Sequence, residues 1–78
     1  MRTRVYQELN PEELGVVEEM GVLNDKINKM EQHALTKEYR DTVSIDEQIR
    51  RTQQIKFMRY YSDILGQRIA NFPKVWNR

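Results

Sequence analysis

Two groups of side chains in this sequence could act on a ligand: paired carboxylates, and cations with an aromatic ring close by. The carboxylate pairs are Glu12/Glu13 and Glu18/Glu19. Acid–base or metal chemistry would require them to converge, and residues adjacent on a helix do not face each other. They read instead as parts of a capped, solvated helix. Ser62, Asp63 and His33 supply the residue types of a nucleophilic triad without any local signature of one. A single histidine and no cysteine leave no histidine cluster, thiolate site or disulfide. No glycine-rich phosphate loop is present. The expectation is a protein that is not an enzyme and carries no cofactor or metal.

The cations point toward phosphate. Arg50, Arg51, Lys56, Arg59 and Arg68 share one stretch, and four of the thirteen basic residues, Arg2, Arg4, Lys74 and Arg78, lie in the terminal segments. Charge runs on helices are commonly solvated faces, but arginine also gives bidentate, charge-assisted contacts to phosphate. Tyr6 sits between Arg4 and a helix start. A ring beside arginine is a platform for a nucleobase, by stacking and cation–π contact. It is equally a plug for a groove in a partner subunit, and the two readings stand level.

Two long helices must position these groups. Ile55, Met58, Ser62, Leu65, Ile69 and Phe72 recur at spacings of three and four, the a/d pattern of a helix packed along another. Phe57, Tyr61 and Ile64 form a second seam beside it. Val16, Met20, Leu23, Ile27, Met30 and Ala34 repeat the pattern earlier in the chain. Asn10, Pro11 and Glu13 predict a capping box with proline at N1, and Leu9 and Leu14 a hydrophobic staple. Ser44 and Glu47 predict a second capping box. Pro73 stops the second helix. Gly15 and Gly21 weaken the first helix by up to ~1 kcal/mol each relative to alanine and leave room for a backbone or flat ligand to approach. The expected organisation is a single all-α domain, an antiparallel helical hairpin. It has an arm over 1–9, helix one over about 11–35, a partly helical connection over 36–43, helix two over about 45–71 and a tail over 73–78.

One helix with two seams needs two neighbours, and the chain offers one. A 78-residue chain buries a modest core and lacks disulfides and metal to reinforce it. The second neighbour is therefore expected to be another copy, making a homo-oligomer. The net charge of +1 excludes a polycation. No run approaches the ~18 apolar residues of a membrane span and the N-terminus has no apolar signal core. A soluble protein that stays in the cytoplasm is expected.

Residues 6–14 (YQELNPEEL), Ile45–Glu47 and residues 65–73 (LGQRIANFP) resemble the phage anti-CBASS cyclic-nucleotide sponges, whose helical hairpin the anti-Thoeris sponges share. The resemblance spans nearly the whole chain. It implies a hexamer of hairpins, working in the host bacterial cytoplasm. Such a hexamer binds cyclic di- or trinucleotide immune signals, in some members cyclic ADP-ribose isomers, and holds them without degrading them. It implies dinucleotide pockets between protomers and separate trinucleotide pockets near the symmetry axis. It assigns base contact to Tyr6. A family lysine falls at Gly21 in an ungapped reading, so the expected phosphate ligands are Arg4 and Arg68, with Lys26, one turn or more from that position, as a further candidate. Two other readings stay open from the residues themselves. One is a Rop-like hairpin that binds RNA, although long nucleic acid fits the charge less well. The other is a structural or host-protein-binding phage coiled coil.

Overall fold

The computed structural model describes residues 9–73. Arg4 and Tyr6, with the rest of residues 1–8 and the tail from residue 74, lie outside the described residues. Three helices follow in order: α1 (Pro11–Ala34), α2 (Lys37–Thr42) and α3 (Ile45–Ala70).

Each helix starts where a side chain can satisfy its free N–H groups. Asn10 Oδ1 accepts from the Glu13 N–H at 2.8 Å, and Glu13 Oε1 accepts from the Asn10 N–H at 3.0 Å. This is the complete capping box, with Pro11 at the first helical position. Thr36 caps α2 by accepting from the Tyr39 N–H at 3.1 Å. The polar connection is thus helical over six residues. Ser44 caps α3, its Oγ accepting from the Glu47 N–H at 3.2 Å. The second capping box is only half made. The Glu47 carboxylate accepts from Arg50 Nε and Arg51 Nε at 3.0 Å each rather than reaching back to Ser44. Two charge-assisted bonds outcompete one bond to a backbone N–H.

The pairing of α1 with α3 is antiparallel, because contacts run in opposite order along the two helices. Met20 meets Gly66, Asn24 meets Ser62 and Glu31 meets Arg59. The apolar seams face one another. Val16 and Ile27 of α1 and Leu65 of α3 are buried, and Tyr39 of α2 joins them. Among the described residues only Leu65 has a completely buried large side chain. Tyr39 is covered by the His33 ring, edge-on at 5.2 Å between centroids, and by the Arg51 guanidinium 5.7 Å from its ring centre. It closes the end of the hairpin.

The result is a rod of 59 × 19 × 17 Å with a radius of gyration of 17.6 Å. A compact domain of this size would have about 11 Å. A rod encloses little volume, so the core is one residue thick and much apolar surface stays outside. Ile45, Ile49, Phe57 and Tyr60 are all exposed on α3. Gly15 and Gly21 face open space: nothing lies within 4 Å of where a Cβ would stand. The close approach they allow is not used within the chain.

Candidate functional site

The hairpin has two flanks, set by which heptad positions border the seam. With Val16, Leu23 and Met30 as d and Met20 and Ile27 as a, the g positions of α1 are Glu19, Lys26 and His33. Those of α3 are Glu47, Gln54, Tyr61 and Arg68. In an antiparallel pair, g faces g and e faces e. The contacts obey this rule. The Tyr61 hydroxyl donates to Glu19, and His33, Glu47 and Gln54 line one cleft of about 130 Å3 at the closed end. Arg59 pairs with Glu31 across the other flank.

Lys26 and Arg68 therefore lie on the same flank but not together. Lys26 is seven residues beyond Glu19 toward the closed end, and Arg68 is seven beyond Tyr61 toward the open end. Asn24 opposite Ser62 and Met20 opposite Gly66 put Lys26 level with residue 60, eight residues from Arg68, so at 1.5 Å per residue their levels differ by about 12 Å. Neither enters an ion pair among the described residues. Two such cations about two helical turns apart on one flank suit an anionic ligand.

Between them the Glu19 carboxylate, accepting from Tyr61, pushes the phenol above its ordinary value; partial burial and the Glu19 charge add to this, while Arg68 opposes it. Most of the other cations are occupied. Arg50 and Arg51 grip Glu47, Lys29 pairs with Asp25 at 2.9 Å, and Arg59 pairs with Glu31. Much of the basic stretch of helix two is thus spent on intramolecular pairs, and Lys56 and Arg68 are the α3 cations left outside ion pairs among the described residues.

Hydrogen bonds from Arg51 and then Arg50 hold the Glu47 carboxyl below the ordinary glutamate value of 4.5. A depressed folded-state pKa stabilises the fold fully above the unfolded value and loses that contribution as pH falls through the folded one. Acidification below about pH 4.5 is therefore expected to loosen the start of α3 and its grip on Tyr39. Amide exchange across Ile45–Arg51 reads this directly. Glu47→Gln should remove that pH dependence while leaving the Ser44 cap in place.

On the e flank the seam opens into a groove of about 430 Å3 bordered by Asn24, Asn28, Glu31, Arg59, Ser62 and Asp63. Ser62 Oγ donates to Asn24 Oδ1 at 2.5 Å. This satisfies a hydroxyl buried within the seam, whose loss of water would otherwise be costly. Ser62 is thereby committed to Asn24, while His33 is committed to Tyr39 at the closed end, so the three triad residue types do not assemble. This groove is absent from the expectations set by the sequence. Its signal was the serine in an otherwise apolar seam, since a polar residue there requires a polar partner on the facing helix.

Among the described residues, no helix is long and apolar enough to cross a membrane, and no three metal-ligating side chains cluster. Comparison with curated proteins and with solved structures returns no match. A family model does match: Sequestin, over residues 12–71. That span reaches from the first turn of α1 to the C-cap of α3 and covers both seams and both flanks, so this chain belongs to the Sequestin family.

Proposed function

We propose that this protein is a phage counter-defence sponge: it binds cyclic di- or trinucleotide signals in the host cytoplasm and sequesters them without chemistry on the ligand. The observation that carries this reading is the Sequestin match over the full helical hairpin, a family name that denotes sequestration. The arrangement of the cations supports it. A cyclic dinucleotide presents two phosphates and two bases, whereas one protomer offers a single Lys26 and a single Arg68, about 12 Å apart along the rod. A symmetric assembly would bring one protomer's Arg68 to its neighbour's Lys26 and repeat each group around the ligand. The thin core and the exposed face of α3 support assembly on independent grounds. Arg4 and Tyr6 belong to the arm and in this reading complete the pocket, Tyr6 stacking on a base and Arg4 on a phosphate. Sequestration needs tight binding and slow release alone, which suits a chain whose one seam hydroxyl and one histidine are both structurally committed.

The test is calorimetry of the full chain against a panel of cyclic di- and trinucleotides and cyclic ADP-ribose isomers. At least one is expected to bind tightly and to be recovered intact after heat denaturation. Heat from none of them refutes the proposal. Tyr6→Ala is expected to weaken dinucleotide binding by about tenfold or more, as loss of one base stack implies, with the sedimentation profile unchanged. Wild-type affinity in that variant would remove the arm from the site. The RNA-binding reading makes the opposite forecast: affinity for long RNA that falls steeply with salt, and none for the cyclic ligands.

A further inference from the structure

The groove on the e flank contains more hydrogen-bonding capacity than the fold uses. Asp63 is exposed and has no hydrogen-bond or ion-pair partner among the described residues, and the same holds for the Asn28 amide. Asn24 spends its carbonyl oxygen on Ser62, which turns its two N–H donors away from that bond. Arg59 is held by Glu31 and a guanidinium has five N–H donors, so several remain free. These groups converge on about 430 Å3, within the range of small-molecule sites, against the buried Ile27 side chain.

The charges decide what such a groove can hold. Glu31 and Asp63 oppose Arg59, leaving one net negative charge. A phosphate would be repelled there, so in a cyclic nucleotide the part that fits is a base. Carboxylates accept on both oxygens and donate on neither. Guanine offers two adjacent donors, N1–H and the N2 amino group, to such a pair. Adenine and cytosine place a ring-nitrogen lone pair beside their amino group, which a carboxylate repels. Uracil has a single N–H between two carbonyls. Arginine is also the commonest partner of guanine O6.

We propose that this groove reads a guanine of the bound cyclic nucleotide. Asp63 accepts from N1–H and N2, an Arg59 N–H donates to O6, and the Asn28 amide contacts the remaining ring edge. Phosphates then lie outside the groove, on the Lys26 and Arg68 flank of a neighbouring copy. The two flanks of the hairpin divide the ligand between them: one takes charge, the other takes base identity. The assignment rests on the cyclic-nucleotide reading above and adds its base specificity.

Calorimetry of the full chain with 3′,5′-linked cyclic di-GMP, cyclic GMP–AMP and cyclic di-AMP tests it. Wild type is expected to favour the guanine ligands. Asp63→Asn should reduce their affinity by about ten- to a hundredfold, the discrimination usual for one bidentate base contact, and leave cyclic di-AMP unaffected. Asp63→Glu, which keeps both acceptors, should restore part of that loss. Thermal melting and sedimentation should be unchanged in both variants. Equal wild-type affinity for all three ligands, an equal loss for cyclic di-AMP, no loss at all, or disassembly of Asp63→Asn would each overturn the assignment while the sponge reading survives. Binding of no cyclic nucleotide by wild type would remove both.

Discussion

Leu65→Ala is expected to leave the hairpin largely unfolded at room temperature. Leu65 has 0% of its surface exposed and sits where α3 meets α1 opposite Met20. Truncating a fully buried leucine costs about 3–5 kcal/mol through lost transfer energy and an unfilled cavity. A single core of this size supplies about 3–5 kcal/mol of net stability, so the substitution removes most or all of it. With a melting shift of about 4–8 °C per kcal/mol in domains of this length, the midpoint should fall by more than about 12 °C, or the transition should vanish. Val22→Ala is the control. Val22 lies on the same rod but is exposed, and surface truncations cost within about 0.5 kcal/mol. Equal melting of the two variants would mean that the α1–α3 seam is not the principal source of stability.

The same contrast between seam and surface explains which features are legible in the sequence alone. A seam residue must recur every three or four positions to stay against its neighbour, so Val16, Ile27, Ser62 and Leu65 announce themselves. A cap must place an oxygen before a run of free N–H groups, so Asn10 and Ser44 do likewise. Glu47 shows the limit of such local rules. Its position three after Ser44 fits a capping box, but Arg50 and Arg51 are one turn away on the other side and hold the carboxylate more strongly. The grouping of Lys26 and Arg68 was less legible still. Their separation depends on the antiparallel register, which the Met20–Gly66 and Asn24–Ser62 contacts establish and a one-dimensional pattern does not. The groove around Asn24, Asn28 and Asp63 lacked a periodic signature because polar flank positions look alike whether they line a cleft or face water.

Replacing Ile49 and Phe57 together with aspartate is expected to abolish assembly while sparing the packing within one protomer. Ile45, Ile49, Phe57 and Tyr60 point away from the α1 seam, and Phe57 is 69% and Tyr60 67% exposed. An aromatic side chain carries roughly 150–250 Å2 of buriable surface, so Phe57 and Tyr60, one turn apart, expose a few hundred Å2 of apolar surface, and the isoleucines add a second apolar spot two or more turns earlier on α3. Apolar patches of this size are often functional surfaces. Ile45 and Ile49, with Gln48, Thr52 and Gln53, also shape an open depression of about 280 Å3, a receptor for a protruding side chain. If wild type assembles through this face, sedimentation should show it as an oligomer at micromolar concentration. Interface anchors of this kind cost about 2 kcal/mol or more each when lost, so the double substitution should weaken association by roughly a thousandfold. Because both side chains are exposed on the single hairpin, their replacement breaks no contact of the Leu65 core. Any accompanying fall in helix content would then measure how far a protomer depends on its neighbours. An unchanged sedimentation profile would show that this face is not the interface, and the inter-protomer pairing of Arg68 with Lys26 would need a different surface to bring it about.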